Sequence, residues 1–254
     1  MLKNYIFTKK NFITSIMLIK QVTTKSLNQI NFDNHRIINT INPHSYLIAK
    51  SDTVFFEALK ASDVLLPDGI GIVWAKKILT KIKIKKIAGY DLFMHLMSDL
   101  NKQNGSCFFL GASDQTLKKI NTRIAEEYPN VTVCSFSPPY KKEFTNEDNV
   151  KMLTLVNKVE PDILFVGMTA PKQEKWVYNN NINIDAKLIC SIGAVFDFYA
   201  GTVSRPSKFW IKFGLEWLQR FLHEPIRLAK RNLISTPKFI IQILYMKIFK
   251  KNKS

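Results

Sequence analysis

From residue 35 onward, short apolar runs alternate with longer amphipathic stretches. Arg36–Thr40, Asp63–Leu66, Ser106–Leu110, Val131–Cys134, Asp162–Val166 and Lys187–Ile192 are brief and dominated by Ile, Leu, Val and Phe. Runs of that length predict strands buried on both faces of a parallel sheet. Between them, apolar residues recur at helical spacing, as in Leu92, Phe93, Leu96, Met97 and Leu100. Helices are predicted near His44, breaking and resuming over Thr53–Lys60, then from Ile70 to about Leu79 and onward from Gly89. Further ones run from a Ser113 or Asp114 cap to about Tyr128, over about Glu147–Lys158, and after Pro171. Strand and helix alternate through residue 192, which argues for an α/β fold with a doubly wound, largely parallel, Rossmann-like sheet.

The punctuation of this pattern locates the crevice. Gly69, Gly89, Gly111, Gly167, Gly193 and Gly201 fall in loops, most at strand ends. In open α/β sheets, ligands bind outside the carboxyl ends of the strands. After Asp162–Val166, Gly167 ends a strand and Pro171 suits the first position of a helix, where its missing N–H costs nothing. A strand entering a helix N-terminus through glycine leaves backbone donors and partial positive charge for a phosphate. Gly111, Gly167, Pro171, Lys172 and Gly193 are therefore candidate ligand-binding positions. The same pattern also serves as an ordinary strand-to-helix connection.

After Pro206 the pattern changes to three predicted helices. Phe209 to Leu222 is rich in aromatics, Pro225 opens a second helix, and Phe239–Phe249 is apolar with lysines at its end. Charge sharpens the division. Of the net +17, residues 1–25 hold +5 and residues 205–254 hold +10, leaving a middle close to neutral. We therefore divide the chain into a basic N-terminal extension (1–34), an α/β catalytic domain (35–204) and a basic helical appendage (205–254). A basic, aromatic, non-spanning tail suits an anionic membrane surface, although it could also cap the sheet or pack on a second copy of the chain. No run is apolar and long enough to span a bilayer, and the N-terminus makes a poor signal peptide. The six lysines of Lys76–Lys86 suit a solvated connection or a protected sheet edge.

Several chemistries lack their residues. No Gly-x-Gly-x-x-Gly, Walker A or Gly-x-Ser-x-Gly sequence occurs, nor any Asp-x-Asp pair to hold a divalent metal. Without a glycine-rich turn, an NAD-dependent oxidoreductase or epimerase is disfavoured. A nucleic-acid-binding module would use the basic ends, but the neutral middle and apolar tail favour lipid. The histidines, His35, His44, His95 and His223, lack ligand spacing. Cys107, Cys134 and Cys190 each sit in an apolar run, as buried thiols in a reducing compartment would. What remains is Asp68, between Pro67 and Gly69 at a strand end, with Thr40 and Asn42 at the end of the preceding strand. A Pro-Asp-Gly turn explains such an aspartate without catalysis, and a general base is the alternative.

Five ordered blocks point to a family. They are Leu66-Pro67-Asp68-Gly69-Ile70-Gly71, Ala88-Gly89-Tyr90-Asp91-Leu92, Gly167 with Ala170-Pro171-Lys172-Gln173-Glu174-Lys175-Trp176, Gly193-Ala194-Val195-Phe196-Asp197-Phe198, and Gly214-Leu215-Glu216-Trp217-Leu218 with Arg220. Over roughly residues 35–245 the chain resembles the WecG/TagA/CpsF glycosyltransferases, family 26. The resemblance implies an inverting, metal-independent transfer from a UDP-sugar to a polyprenyl-diphosphate-linked sugar in bacterial surface-polymer synthesis. It implies Asp68 as base with Thr40 and Asn42 nearby, and Gln173 and Asp197 in the donor pocket. The appendage is expected to close over the site and bring it to the inner face of the cytoplasmic membrane. Arg220 and Arg227 match family arginines there, and Lys230 followed by Arg231 stands where a third is expected. Lysine keeps the charge but loses the bidentate fork. The donor sugar expected is N-acetylmannosamine or its uronic acid, with glucose or another hexose as the alternative. No cofactor, metal or nucleic acid is expected.

Overall fold

The computed structural model describes residues 16–34, 36–204, 210, 218–219 and 230–251. Six parallel strands form one sheet: β1 (Ile37–Ile41), β2 (Val64–Pro67), β3 (Ser106–Gly111), β4 (Thr132–Phe136), β5 (Ile163–Gly167) and β6 (Leu188–Ser191), in the order β2-β1-β6-β5-β3-β4. The chain leaves β1 for one edge, crosses to build the other, and returns to fill the centre with β5 and β6. Both central strands are buried along their whole length, as their unbroken apolar sequences require.

The connecting helices are α1 (Pro43–Ala49), α2 (Thr53–Lys60), α3 (Ile70–Thr80), α4 (Gly89–Gln103), α5 (Asp114–Glu127), α6 (Asn146–Asn157), α7 (Lys172–Asn180) and α8 (Val195–Tyr199). Asn42 caps α1, Asp52 caps α2 and Ser113 caps α5 through side-chain oxygens, as short polar residues at those sites should. In the appendage, a π-helical turn (Lys230–Ser235) leads into α9 (Thr236–Lys251). The aromatic helix expected from Phe209 and the start at Pro225 lie outside the described residues, apart from positions 210, 218 and 219.

Alternation along the strands sorts side chains to two faces. Phe109 and Phe165 join Phe93, Phe196 and Tyr199 in an aromatic cluster on one face. Leu164 and Val166 face Trp176 and Val177 of α7 and Met152 of α6 on the other. A third cluster lies at the β2 side, where Tyr46, Phe55 and Ile72 meet Phe239, Ile243 and Met246 of α9. Leu18, Ile19 and Val22, from the stretch assigned to an extension, are buried in it as well.

Two readings need correction. Lys76 is not part of a solvated basic run. It is 3% exposed, and its ammonium donates to the carbonyls of Lys20 and Val22, at 2.6 and 2.9 Å, holding the helical segment 16–21 against α3. Beyond Lys76 the stretch is the solvated connection expected as one alternative: residues 81–88 carry no strand, and Lys81, Lys83 and Lys85 are exposed. Cys107 and Cys190 are buried, but Cys134 is only half-buried, because its strand forms the opposite edge of the sheet.

Candidate active site

Strands β1 and β2 are paired so that Thr40 lies opposite Leu66 and Ile41 opposite Pro67. One further rung, from the Asp68 N–H to the Ile41 carbonyl at 2.9 Å, carries the pairing to the crevice. Asp68 and Asn42 therefore leave adjacent strands together, with Thr40 just behind. All three are half-buried. The contact is closed by Pro43. A methyl group on Gly71 would lie 2.7 Å from the Pro43 ring, so only glycine lets the turn after Asp68 approach the start of α1 so closely. Gly69, with φ of 98°, makes the turn itself. The side-chain oxygen of Asn42 accepts from the N–H groups of His44 and Ser45, each at 3.0 Å. Its amide Nδ2 is thus the end that can donate to a ligand.

The second wall is built where β5 and β6 end. Gly111 and Gly167 are register partners, and a methyl group on Gly111 would meet the Gly167 carbonyl at 2.3 Å. Gly167 in turn lies against the Phe196 ring, which a methyl group would strike at 2.4 Å. Pro171 occupies the cap position of α7 rather than its first helical position, and the helix runs from Lys172. Part of the expected anion seat is already used, because the Lys172 N–H donates to the Thr169 carbonyl at 2.9 Å. The Lys172 ammonium lies 3.5 Å from the centre of the Phe144 ring and donates to the Lys141 carbonyl. Burial holds its pKa below the ordinary lysine value.

Gln173 is 4% exposed, accepts from the Met168 N–H at 3.1 Å and donates to Glu174 at 2.9 Å. Its Oε1 would sit 3.0 Å from a methyl group on Gly193, so the loops after β5 and β6 close around it. Glu174, to which the sequence pattern assigns no role, is 2% exposed, and burial pushes its carboxyl up to about 7. Asp197 lies on α8, where its carboxylate accepts from the Thr202 hydroxyl at 3.4 Å. Lys230 and Arg231 open the π-helical turn, and their side chains, like Arg220 and Arg227 entirely, lie outside the described residues. Among the described residues, no three His, Cys, Asp or Glu side chains cluster as a metal site would need. A separate depression between α5 and α8 is internally paired: Arg123 bonds Glu127 at 2.6 Å and the Tyr199 carbonyl at 2.9 Å.

Loops gathered at the carboxyl ends of parallel strands define an open α/β enzyme whose substrate enters between strand ends. Comparison with known proteins makes the assignment specific. Matched over residues 13–253, the chain belongs to the glycosyl transferase WecG/TagA/CpsF family and is a glycosyltransferase. A Bacillus subtilis (strain 168) protein, N-acetylglucosaminyldiphosphoundecaprenol N-acetyl-beta-D-mannosaminyltransferase, is 30% identical, covering 82% of this chain and 78% of its own. Proteins of the same name from Bacillus spizizenii and Staphylococcus aureus (strain MRSA252) are 28% and 24% identical, covering 87% and 91% of this chain and 91% and 87% of theirs. The family match begins at residue 13, so it takes in the buried segment around Leu18 that the sequence reading set outside the resemblance.

Proposed function

We propose that this enzyme transfers N-acetylmannosamine, or its uronic acid, from a UDP-sugar to a polyprenyl-diphosphate-linked N-acetylglucosamine acceptor. The transfer inverts the anomeric centre, needs no metal, and serves bacterial surface polysaccharide synthesis. The observation that carries the reading is the meeting of Asp68 with Asn42 and Thr40 across two adjacent strand ends. The activity named for the relatives supports the sugar and acceptor class. In this mechanism Asp68 takes the proton from the acceptor hydroxyl as it attacks the anomeric carbon. The bond to UDP breaks, and the departing diphosphate gains charge. Arg220 and Arg227, with Lys230 or Arg231, are assigned to offset that charge. Gln173 and Asp197 face the donor.

With a lipid-linked acceptor, the proposed site of action is the inner face of the cytoplasmic membrane. No helix among the described residues is long and apolar enough to cross a membrane. Helix α9 instead buries Phe239, Ile243 and Met246 while exposing Ile241 at 66% and Ile248 at 60%. A helix apolar on both sides, with lysines at its end, suits a position between the protein core and an anionic lipid surface.

The deciding experiment measures UDP release from a panel of UDP-sugars with a short polyprenyl-diphosphate-N-acetylglucosamine analogue. Asp68→Asn should fold and bind UDP while turnover falls about 10²–10⁴-fold, the usual worth of a positioned base. Near-normal turnover in that variant removes Asp68 from the mechanism. Full activity in EDTA is expected, and loss that Mg²⁺ restores would overturn the metal-free account.

A further inference from the structure

The Gln173 amide is held from both ends. Its Oε1 accepts from the Met168 N–H at 3.1 Å, and its Nε2 donates to Glu174 Oε1 at 2.9 Å. Both bonds demand the same orientation of the amide. Turning it by half a revolution would set an NH₂ group against an N–H and, with Glu174 ionised, a carbonyl against a carboxylate oxygen. The Met168 contact shapes the turn after β5. The same Oε1 lies against Gly193 in the loop after β6, close enough that a methyl group there would be 3.0 Å away. One amide thus bonds one crevice loop and lies against the other, and one carboxyl holds the amide.

That carboxyl sits in an unusual place. Glu174 is 2% exposed, on a helix that packs against α2 and β6. Its Oε2 is a buried oxygen without a hydrogen-bond partner among the described residues, and so are Asn39 Oδ1 and Ser191 Oγ. Asn39 and Ser191 are register partners on β1 and β6 and are 1% and 0% exposed. An acid buried this deeply costs stability that one hydrogen bond only partly offsets. The nearest described use is the bond to Gln173.

We propose that Glu174 is a positioning residue for the donor site, orienting the Gln173 amide so that its remaining N–H points into the crevice between the β5 and β6 loops. The proposal rests on the reading that Gln173 faces the donor, and the experiment separates the two. UDP affinity is measured by titration calorimetry, beside melting temperature, for Gln173→Ala, Glu174→Met, Glu174→Gln and the double variant Gln173→Ala/Glu174→Met. Methionine fills similar volume but cannot accept from Nε2, whereas glutamine keeps an acceptor oxygen.

Glu174→Met should weaken UDP about five- to tenfold, as for loss of one oriented hydrogen bond. Gln173→Ala should do the same, the double variant should be no worse than either, and Glu174→Gln should bind as wild type. A purely structural role would lower the melting temperature of Glu174→Met without moving UDP affinity, and that result overturns the proposal. So does a double variant in which the two losses multiply. Wild-type affinity in Gln173→Ala would instead show that the donor reading has failed, taking the proposal with it. Should the methionine variant not fold, Glu174→Ala provides the same comparison.

Discussion

At the scale of single residues, Glu174 makes the most direct physical prediction. Its carboxyl titrates near 7 in the folded protein against an ordinary value of 4.5, chiefly because burial disfavours the charged form. Between those two values the native state holds a proton that the unfolded chain has lost. Stability is therefore full below about pH 4.5 and declines as pH rises through 7, by on the order of 3 kcal/mol for this group. Glu174→Gln cannot titrate, so it should gain about 2–3 kcal/mol relative to wild type between pH 5 and pH 8. Urea unfolding at the two pH values measures this, and an unchanged difference would contradict it. The placement of Asp68, Thr40 and Asn42 at neighbouring strand ends is legible in the sequence, because a strand end is a local feature, written in Pro, Gly and Asn. The burial of Glu174 and Lys76 is not. A glutamate in a first helical turn and a lysine in a lysine-rich stretch look solvated until α7 meets β6 and α3 meets the segment 16–21.

At the scale of elements, the alternation of short apolar runs and amphipathic stretches located all six strands and the helices between them, with shifts of a residue or two at the ends. The shifts have local causes. β2 continues through Pro67 because β2 is an edge strand, where a missing N–H is tolerated. β3 and β5 continue through Gly111 and Gly167 because two glycines lying opposite one another allow their backbones to pair closely. Sheet order is set by contacts distant in sequence and was not written in any one run. Helix α9 depends most on such contacts. Phe239 packs edge-on against Tyr46 with ring centres 5.0 Å apart, His44 bonds Ser235 at 2.9 Å, and Lys50 bonds Gln242 at 2.9 Å. Phe239→Ala should cost about 3–5 kcal/mol, the range for a large buried side chain. Protease cleavage within α9 should quicken accordingly, and α9 as resistant as in wild type would show that its docking does not rely on that ring.

At the scale of the whole molecule, α9 carries apolar side chains that the core does not cover. Ile241, Leu244 and Ile248 of α9 are exposed, and lysines follow at the helix end. Ile241→Glu with Ile248→Glu should abolish flotation with anionic liposomes while UDP affinity stays at the wild-type level, since neither side chain faces the core. Flotation unchanged by both substitutions would place the membrane contact elsewhere. The basic tail was legible as a composition, but the division of α9 into a core face and an outer face was not, because apolar residues occupy both.

The β2-side cluster has a consequence for how the chain is made. Leu18, Ile19 and Val22 share it with Phe239, Ile243 and Met246. The first buried residues of the described chain and nearly the last ones complete a single core. During synthesis the aromatic cluster around Phe93 and Phe165 has all its members once Tyr199 has emerged. The β2-side cluster must wait for Met246. A nascent chain stalled between those two points carries a sheet finished at its centre and an apolar flank still open around Tyr46 and Ile72. That intermediate is the form in which a chaperone, or another unfinished copy, would meet this protein.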